Sequence, residues 1–334
     1  MKIIVDAFGG DNAPLEILKG AVLAKREYGV DLVFSGDEGK IRSCAAENGV
    51  DLTGCEIIHA PLVMEMEDDP RTVLKSKLDS SMGTGLKALS EGKGDAFVSA
   101  GSTAALVVGG TFIVKRIKGI KRCAIASVMP SDKGPFMLVD CGANAECEPR
   151  YLVQFAKMGS VYMNKVLGVA SPRVGLANIG VEETKGTDFI RESYGLLKAE
   201  GDLNFIGNAE VRDIPFGVCD VVVADGFTGN VILKMYEGVA GMLVGNIKAM
   251  FKKNLVSKLG ALCVMGGLNE FKDKMDYKQY GGAPLLGLCA PVIKAHGSSD
   301  ARAFMNAVRQ AKECCEKGVC ETIAAGLSSD GGVR

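Results

Sequence analysis

One stretch of the sequence combines a buried strand, two glycines and a helix. Val221–Val223 is a short β-branched run, typical of a strand buried on both faces, and Ala224–Gly238 continues as ADGFTGNVILKMYEG with helical spacing in its second half. Asp225–Asn230 is therefore predicted to be a tight turn from strand to helix. Gly226 and Gly229 permit positive φ and close backbone approach, and the first amides of a helix lack partners within it. We interpret this turn as a site for a small anion.

A single lysine follows another buried run. Lys185 stands beside Gly186, and Thr187 and Asp188 are suited to cap the next helix. A point charge on a flexible stem, close to helix amino-termini, suits a small phosphate. Taken by itself, the segment fits a solvated lysine at a helix entrance equally well.

Nucleophile and base pairs are scarce. No G-x-S-x-G motif occurs, and the chain has only two histidines, His59 and His296. Cys141 lies in a turn, but a lone cysteine is more often a small buried residue, and we interpret it so. His296 fits a cap or packing residue of the helix 301–317 as well as a catalytic group. We interpret His59 as structural.

Several classes of protein are disfavoured by motif and charge. No window supplies G-x-x-x-x-G-K-[ST], and the turn after the first strand, 6–14, has the wrong spacing for a dinucleotide fingerprint. Lysine and arginine total 39 against 40 acidic residues, so no charge bias points to nucleic acid. The eleven cysteines lack paired C-x-x-C spacing. We expect no metal and no cofactor.

The sequence shows neither the pattern of a signal peptide nor that of a membrane-spanning helix. The first ten residues, MKIIVDAFGG, lack the length of a signal peptide, and no apolar run reaches the roughly 18 residues of a spanning helix. We expect a cytoplasmic protein with reduced thiols, at most peripheral to a membrane.

The chain repeats one unit: an apolar run, a small polar or glycine-rich turn, then a helical pattern. This alternation predicts an α/β fold with a largely parallel sheet, whose strand-ending turns gather at one edge and bind ligands there. Glycine-rich turns are also needed where nothing binds. We expect one domain over 1–334, a softer boundary near 132–135 and a projecting helical tip over 246–282. The apolar runs are 3–5, 32–34, 96–98, 137–139, 174–177 and 221–223.

Seven segments, in order along nearly the whole chain, resemble the bacterial phosphate acyltransferase (PlsX) family. They are 6–11 (DAFGGD), 99–103 (SAGST), 140–144 (DCGAN), 178–186 (NIGVEETKG), 225–231 (DGFTGNV), 280–287 (YGGAPLLG) and 296–298 (HGS). The departures are modest: Phe8 replaces the family's usual Met, Ser102 its usual Asn, and 207–213 reads GNAEVRD instead of GNVEGRD. Ser102 has no side-chain amide, so it cannot fill the role of one at that position.

The resemblance implies a fold, an activity and partners. The implied fold is the Rossmann-like, doubly wound, largely parallel sheet that phosphotransacetylases share with isopropylmalate dehydrogenases. The implied activity moves a long-chain fatty acyl group from acyl carrier protein to inorganic phosphate, and the acyl phosphate feeds phosphatidic acid and phospholipid synthesis. The family is dimeric and associates peripherally with the membrane.

The resemblance also suggests roles for residues. Lys185 would hold phosphate and offset charge in the tetrahedral intermediate, Asn230 would donate a hydrogen bond, and His296 would protonate the leaving thiolate. Phosphate is a competent nucleophile and a thioester an activated donor, so transfer is expected to be direct. Arg212 is the next candidate cation. The positions assigned to phosphate or substrate binding are Asp6, Gly9, Gly10, Ser102, Thr103, Asp140, Asn144, Asp225, Gly226 and Gly229.

A stripe of large apolar residues marks the expected tip. Phe251, Leu255, Leu259 and Leu262 recur at intervals of four, four and three, which places them on one helical face. Lysines at 252, 253 and 258 lie away from this face, available to anionic head groups. Packing into the subunit itself or into a dimer partner is the alternative.

Two other functions remain open. One is a dehydrogenase of the isopropylmalate type on the same fold, which would bind a nicotinamide. The other is a non-enzymatic membrane scaffold for acyl carrier protein, which would need no polar cluster of turns.

Overall fold

The structure is a computed structural model, and it describes residues 1–254, 256–261, 264–267 and 280–329. All six strands expected from the apolar runs are present, so the α/β prediction is confirmed. The strands are β1 Lys2–Asp6, β2 Asp31–Gly36, β3 Glu56–His59, β4 Ala96–Ser99, β5 Ala124–Met129, β6 Phe136–Val139, β7 Val174–Asn178, β8 Phe205–Glu210, β9 Val221–Val223, β10 Ala283–Leu286 and β11 Val292–Lys294.

Helices separate most of the strands. Seven of them are α1 Leu15–Tyr28, α2 Glu38–Glu47, α3 Ser81–Ser90, α4 Thr103–Gly109, α5 Pro149–Lys165, α6 Asp188–Ala199 and α7 Gly226–Lys252. The chain continues into two C-terminal helices, Ala301–Glu316 and Val319–Ser329. Among the described residues, 256–261 and 264–267 are also helical.

The strands form one sheet in the order β3-β2-β1-β4-β11-β10-β5-β6-β9-β7-β8. Seven of its ten neighbouring strand pairs are parallel, as the sequence predicts. The stretch 132–135, suggested above as a soft boundary, belongs to the connection between the antiparallel strands β5 and β6.

Strand direction changes near the middle of the sheet. The antiparallel pairs β11/β10, β10/β5 and β5/β6 leave β1 to β4, β5 and β11 running one way, and β6 to β10 running the other. The expectation that all strand-ending turns share one edge is therefore wrong. Turns from both halves of the sheet can come together where the halves meet, and we expect a ligand site there.

Both faces of the sheet are covered, which explains the continuous apolar runs. In β1, Ile3 and Val5 belong to the core cluster that also contains Leu18 of α1 and Phe304 of the C-terminal helix. Ile4, on the opposite face, belongs to a second cluster with Leu86 of α3. Successive side chains of β1 point to opposite faces of the sheet, so they pack against different helices on the two sides.

α7 begins five residues earlier than the pattern after β9 suggests, because Gly226 is already helical. Its buried residues are Gly226, Gly229 and Ile232, all in its first two turns. On another face of the helix, the large side chains of Val231, Met235 and Met242 are exposed. The helix is thus held at its start.

Only part of the expected membrane stripe can be compared with the structure. Phe251, at the end of α7, is half-buried, and Leu259 is exposed. Leu255 and Leu262 lie outside the described residues.

Candidate active site

A cavity of about 370 Å³ lies over β5, where the two halves of the sheet meet. Ile125, Ser127 and Met129 alternate along β5 and line it from the sheet. The remaining walls come from four other places: the start of α4, the turn after β6, the first three turns of α7, and the segments flanking β10 and β11. Residues from these walls include Thr103, Ala104, Cys141, Gly142, Asn230, Leu233, Lys234, Glu237, Lys294 and His296.

Asp140 organises the turn after β6. Its buried carboxylate accepts hydrogen bonds from the amides of Ile125, Gly142, Ala143 and Asn144 and from the side-chain amide of Asn144, at 2.7–3.2 Å. Burial raises the pKa of Asp140, and these hydrogen bonds act in the opposite direction. With its oxygens so engaged, Asp140 shapes the turn. The predicted phosphate contact is not what this geometry supports.

The start of α7 is fully capped. The amide of Gly226 donates to the carbonyl of Asn144 at 2.7 Å, and the amides of Phe227 and Thr228 donate to the Asp225 carboxylate at 3.0 and 2.9 Å. The amide of Gly229 donates to the Asp225 carbonyl at 2.8 Å. The prediction of unpaired amides at this turn is wrong, because an aspartate at the N-cap takes the place that an anion would occupy.

The two glycines of this turn serve close packing. A Cβ atom on Gly226 would lie 2.5 Å from the Asn144 carbonyl oxygen, and one on Gly229 would lie 1.9 Å from the Asp140 carbonyl oxygen. Neither glycine has positive φ, contrary to the expectation for a tight turn. Their role is to bring α7 against the Asp140 turn, and this contact aims the next residue, Asn230, at the cavity.

Asp6 stabilises the strands next to the cavity wall that α4 provides. It is buried at the end of β1, where Ser99 Oγ donates to its carboxylate at 2.6 Å and the amide of Phe8 donates at 3.3 Å. Burial raises the pKa of Asp6, and hydrogen bonds from Ser81 and Ser99 and the nearby charge of Lys294 lower it in part. Asp6 thus ties β1 to β4, beside the cavity wall.

Gly9 and Gly10 have the same kind of role. A Cβ on Gly9 would lie 2.6 Å from both the Asp6 carboxylate and the Gly101 amide, and Gly10 has φ of +101°. Both let the first turn lie flat against the turn after β4. Neither residue lines the cavity, so direct phosphate contact is not supported for them.

Lys294 is a cavity residue that the motifs did not single out. It ends β11, and its Nζ donates to the carbonyl oxygens of Ala100, at 3.1 Å, and of Ala295. The sequence signal was a lysine closing a short apolar strand, Val292–Lys294, two residues before His296.

His296 lines the cavity without capping a helix. The N-cap of Ala301–Glu316 is Asp300, whose carboxylate accepts from the amide of Ala303 at 2.8 Å. The Nδ1 atom of His296 accepts from the amide of Ser298 at 3.2 Å. In the neutral ring this acceptor role leaves the proton on Nε2, the atom suited to donate.

Cys141 lines the cavity but is a poor nucleophile. Its thiol is buried and donates to the carbonyl of Ile125 at 3.2 Å. Burial raises its pKa to about 12, so the thiolate is scarce at neutral pH. The interpretation of Cys141 as a small buried residue is confirmed.

Comparison with known proteins identifies the family. A family model described as "Fatty acid synthesis protein" matches residues 1–322. A phosphate acyltransferase from Alkaliphilus oremlandii is 48% identical over 331 residues, which span 99% of this chain and 98% of that protein. The chain belongs to the phosphate acyltransferase (PlsX) family.

Solved structures show the fold that this family member shares with other proteins. A phosphotransacetylase from Streptococcus pyogenes superposes with a TM-score of 0.66 at 18% identity, covering 95% of this chain and 94% of that one. A 4-hydroxythreonine-4-phosphate dehydrogenase from Klebsiella pneumoniae gives 0.55 at 14% identity, covering 94% and 99%. One fold therefore holds transferases and dehydrogenases, and the cavity has to distinguish between them.

One departure from the phosphate acyltransferase motifs can be explained. Ser102, where the family usually has Asn, is buried and is the N-cap of α4, where its Oγ accepts from the amide of Ala105 at 3.5 Å. Serine and asparagine are both preferred at this position of a helix. Ser102 therefore holds α4, while the next residue, Thr103, lines the cavity.

Two cations assigned from the family motifs lie elsewhere. Lys185 is exposed in the turn after β7 and is not a lining residue of the cavity. Arg212 is exposed too, with ion pairs to Glu210 and Asp213 at 2.9 and 3.7 Å. The role proposed for Lys185 stays a prediction.

Proposed function

We propose that the protein transfers a long-chain fatty acyl group from acyl carrier protein to inorganic phosphate, giving an acyl phosphate for phosphatidic acid synthesis. One observation carries the proposal beyond family membership. The cavity, whose lining includes the polar side chains of Thr103, Ser127 and His296, adjoins an open apolar hollow along α7, and the two share Asn230 and Lys234. A thioester with an alkyl chain needs such a pairing of polar and apolar space.

The apolar hollow has a shape and lining that suit an extended alkyl chain. Its lining residues all belong to α7, and the apolar ones are Val231, Met235, Val239 and Met242, which recur at intervals of four, four and three along one face of the helix. Methionine side chains adapt to flexible apolar ligands. We propose that the acyl chain lies along this face with its carbonyl carbon at Asn230.

The chemistry needs no covalent intermediate. A phosphate oxygen attacks the thioester carbonyl carbon, the C–O bond forms, and the tetrahedral intermediate collapses with loss of the thiolate. We propose that Asn230 donates to the developing oxyanion and that His296 gives its Nε2 proton to the thiolate, and the presence of both residues in the cavity lining supports these roles. The protein thus contributes positioning and charge stabilisation.

The rival functions predict other products. A dehydrogenase would reduce a nicotinamide, and a scaffold would bind the carrier without changing it. Incubating the protein with palmitoyl acyl carrier protein, with and without phosphate, separates them. We expect acyl phosphate, trapped as a hydroxamate, only when phosphate is present. Acyl-coenzyme A and short-chain carrier substrates test the donor and the chain length in the same assay.

Further proposals concern assembly and location. We propose a cytoplasmic homodimer that binds the membrane peripherally, on the basis of the family resemblance and the exposed apolar residues near the end of α7. Leu259 and Val256 are 65% and 79% exposed, an unusual degree for large apolar side chains. Among the residues that the structure describes, no helix combines the length and apolarity that a membrane crossing requires.

A further inference from the structure

Lys294 presents a charged group to the active-site cavity. Its side chain is partly buried, and its ammonium group is anchored by the carbonyl oxygens of Ala100 and Ala295. An ammonium has three protons to donate. Among the described residues, these two carbonyls are the hydrogen-bond partners of Nζ, so one proton remains for a ligand.

The other charged groups around the cavity are either neutralised by an ion pair or negative. Lys234 is 58% exposed and pairs with Glu237 at 2.9 Å, which largely cancels its charge. Asp6 and Asp11 place negative charge near Lys294. Lys294 is thus the cavity-lining cation that offsets these two carboxylates.

The side chains that line the cavity near this lysine suit a small oxyanion. Thr103 and Ser127 carry hydroxyl groups that can donate to oxygen, and Asn230 adds a side-chain amide. A compact ammonium with a spare proton supplies the point charge that these neutral groups lack. Lys185 and Arg212, the cations suggested by the sequence, lie outside the cavity lining.

We propose that Lys294 binds the phosphate co-substrate, donating its third proton to a phosphate oxygen while the Ala100 and Ala295 carbonyls hold it in place. This inference rests on the proposed function, because it assigns the second substrate of that reaction to a residue. Phosphate then lies between β11 and Asn230, on the side of the acyl carbonyl from which it attacks.

The test is the phosphate dependence of acyl phosphate formation. We expect Lys294→Met to raise the KM for phosphate by about 10- to 100-fold, the effect of losing one hydrogen bond between charged groups. The KM for the acyl donor should change much less. Lys294→Arg, which keeps the charge, should recover part of the affinity.

Lys25→Met is the matched control. The Nζ of Lys25 also donates to two carbonyl oxygens, those of Thr53 at 3.1 Å and Gly54 at 2.7 Å, but Lys25 does not line the cavity. Its phosphate KM should equal that of the wild type. An unchanged KM in folded Lys294→Met overturns the inference, and so does an increase confined to Lys185→Met.

Calorimetry measures the binding of inorganic phosphate to the wild type and to each variant. This measurement tests the inference without relying on turnover. If wild-type protein forms no acyl phosphate, the proposed function fails, and equal phosphate binding by wild type and Lys294→Met overturns the inference separately. If Lys294→Met does not fold, Lys294→Gln, which keeps a donor toward the carbonyls, takes its place. Circular dichroism melting establishes folding for each variant.

Discussion

At the scale of residues, Lys294 is the group whose charge state should control phosphate binding. Burial lowers its pKa to about 8, Asp6 and Asp11 oppose this shift, and Lys234 adds to it. Only the protonated amine can hold phosphate, and it loses its proton as the pH rises through this pKa.

The KM for phosphate should therefore rise as the pH increases from 7 to 9. Phosphate goes from monoanion to dianion over the lower part of this range, and the added negative charge strengthens its attraction to a cation, so its own titration does not produce such a rise. Initial rates at several phosphate concentrations and pH values measure it. In Lys294→Arg the rise should disappear, since a guanidinium stays charged. A flat profile in the wild type would show that the charge of Lys294 does not matter.

Direct transfer makes a prediction about Cys141. Cys141→Ser should keep turnover within about threefold, because serine can make the same hydrogen bond to the Ile125 carbonyl and no thiolate is needed. Mass spectrometry of protein quenched during turnover should show no acyl adduct. An acylated Cys141 together with an inactive Cys141→Ser variant would contradict direct transfer.

The sequence predicts some cavity residues and misses others for a physical reason. Asn230, Thr103 and His296 are predictable because they stand in turns or at helix starts near glycine, a pattern typical of binding turns. Lys294 closes a strand and Ser127 lies inside one, so both look like ordinary strand positions until the neighbouring elements are known. Lys185 has a favourable local pattern, but its turn follows β7, whose position in the sheet the pattern cannot give.

At the scale of elements, the contact between α7 and the Asp140 turn positions Asn230. Gly229→Ala should destabilise the protein by about 1–3 kcal/mol or more and lower turnover, because its Cβ would lie 1.9 Å from the Asp140 carbonyl oxygen. Gly241→Ala is the control on the same helix, where nothing lies within 4 Å. There the better helix propensity of alanine should add stability, by about 0.5–1 kcal/mol.

Chemical denaturation and turnover assays of the two variants measure this difference. Equal stability of Gly229→Ala and the wild type would mean that α7 does not need this close approach. The sequence here predicts a strand, a turn and a helix, and all three are present. The prediction that the first helix amides lack partners is wrong. Asp225 was assigned to the ligand, whereas N-capping engages it within the chain.

The second prediction at this scale concerns the membrane. We expect the double change Leu255→Glu plus Leu259→Glu to abolish sedimentation with anionic liposomes, because it places two charges on the apolar stripe. Transferase activity in solution should remain largely intact. Leu196→Glu, at an exposed leucine of α6, is the control and should still sediment.

If the double variant unfolds or becomes monomeric, the stripe belongs to the core or to an interface between subunits. Membrane binding would then have to come from another surface. The lysines at 252, 253 and 258 would remain candidates for contact with head groups.

At the scale of the whole molecule, the reversal of strand direction creates the site. The alternation of strands and helices predicts the α/β class and the mostly parallel sheet, because each unit is local in sequence. It cannot predict that β10, which lies between β11 and β5, reverses the direction of the sheet. This long-range pairing joins turns from both halves at one cavity.

The most direct test of the whole account uses phosphate labelled with ¹⁸O at all four oxygens, together with palmitoyl acyl carrier protein. We predict one carrier thiol released per acyl phosphate formed, retention of all four labelled oxygens in the product, and no thiol release without phosphate. Direct attack by a phosphate oxygen on the thioester carbon requires all three. Thiol release at an equal rate without phosphate, yielding free fatty acid, would contradict the account.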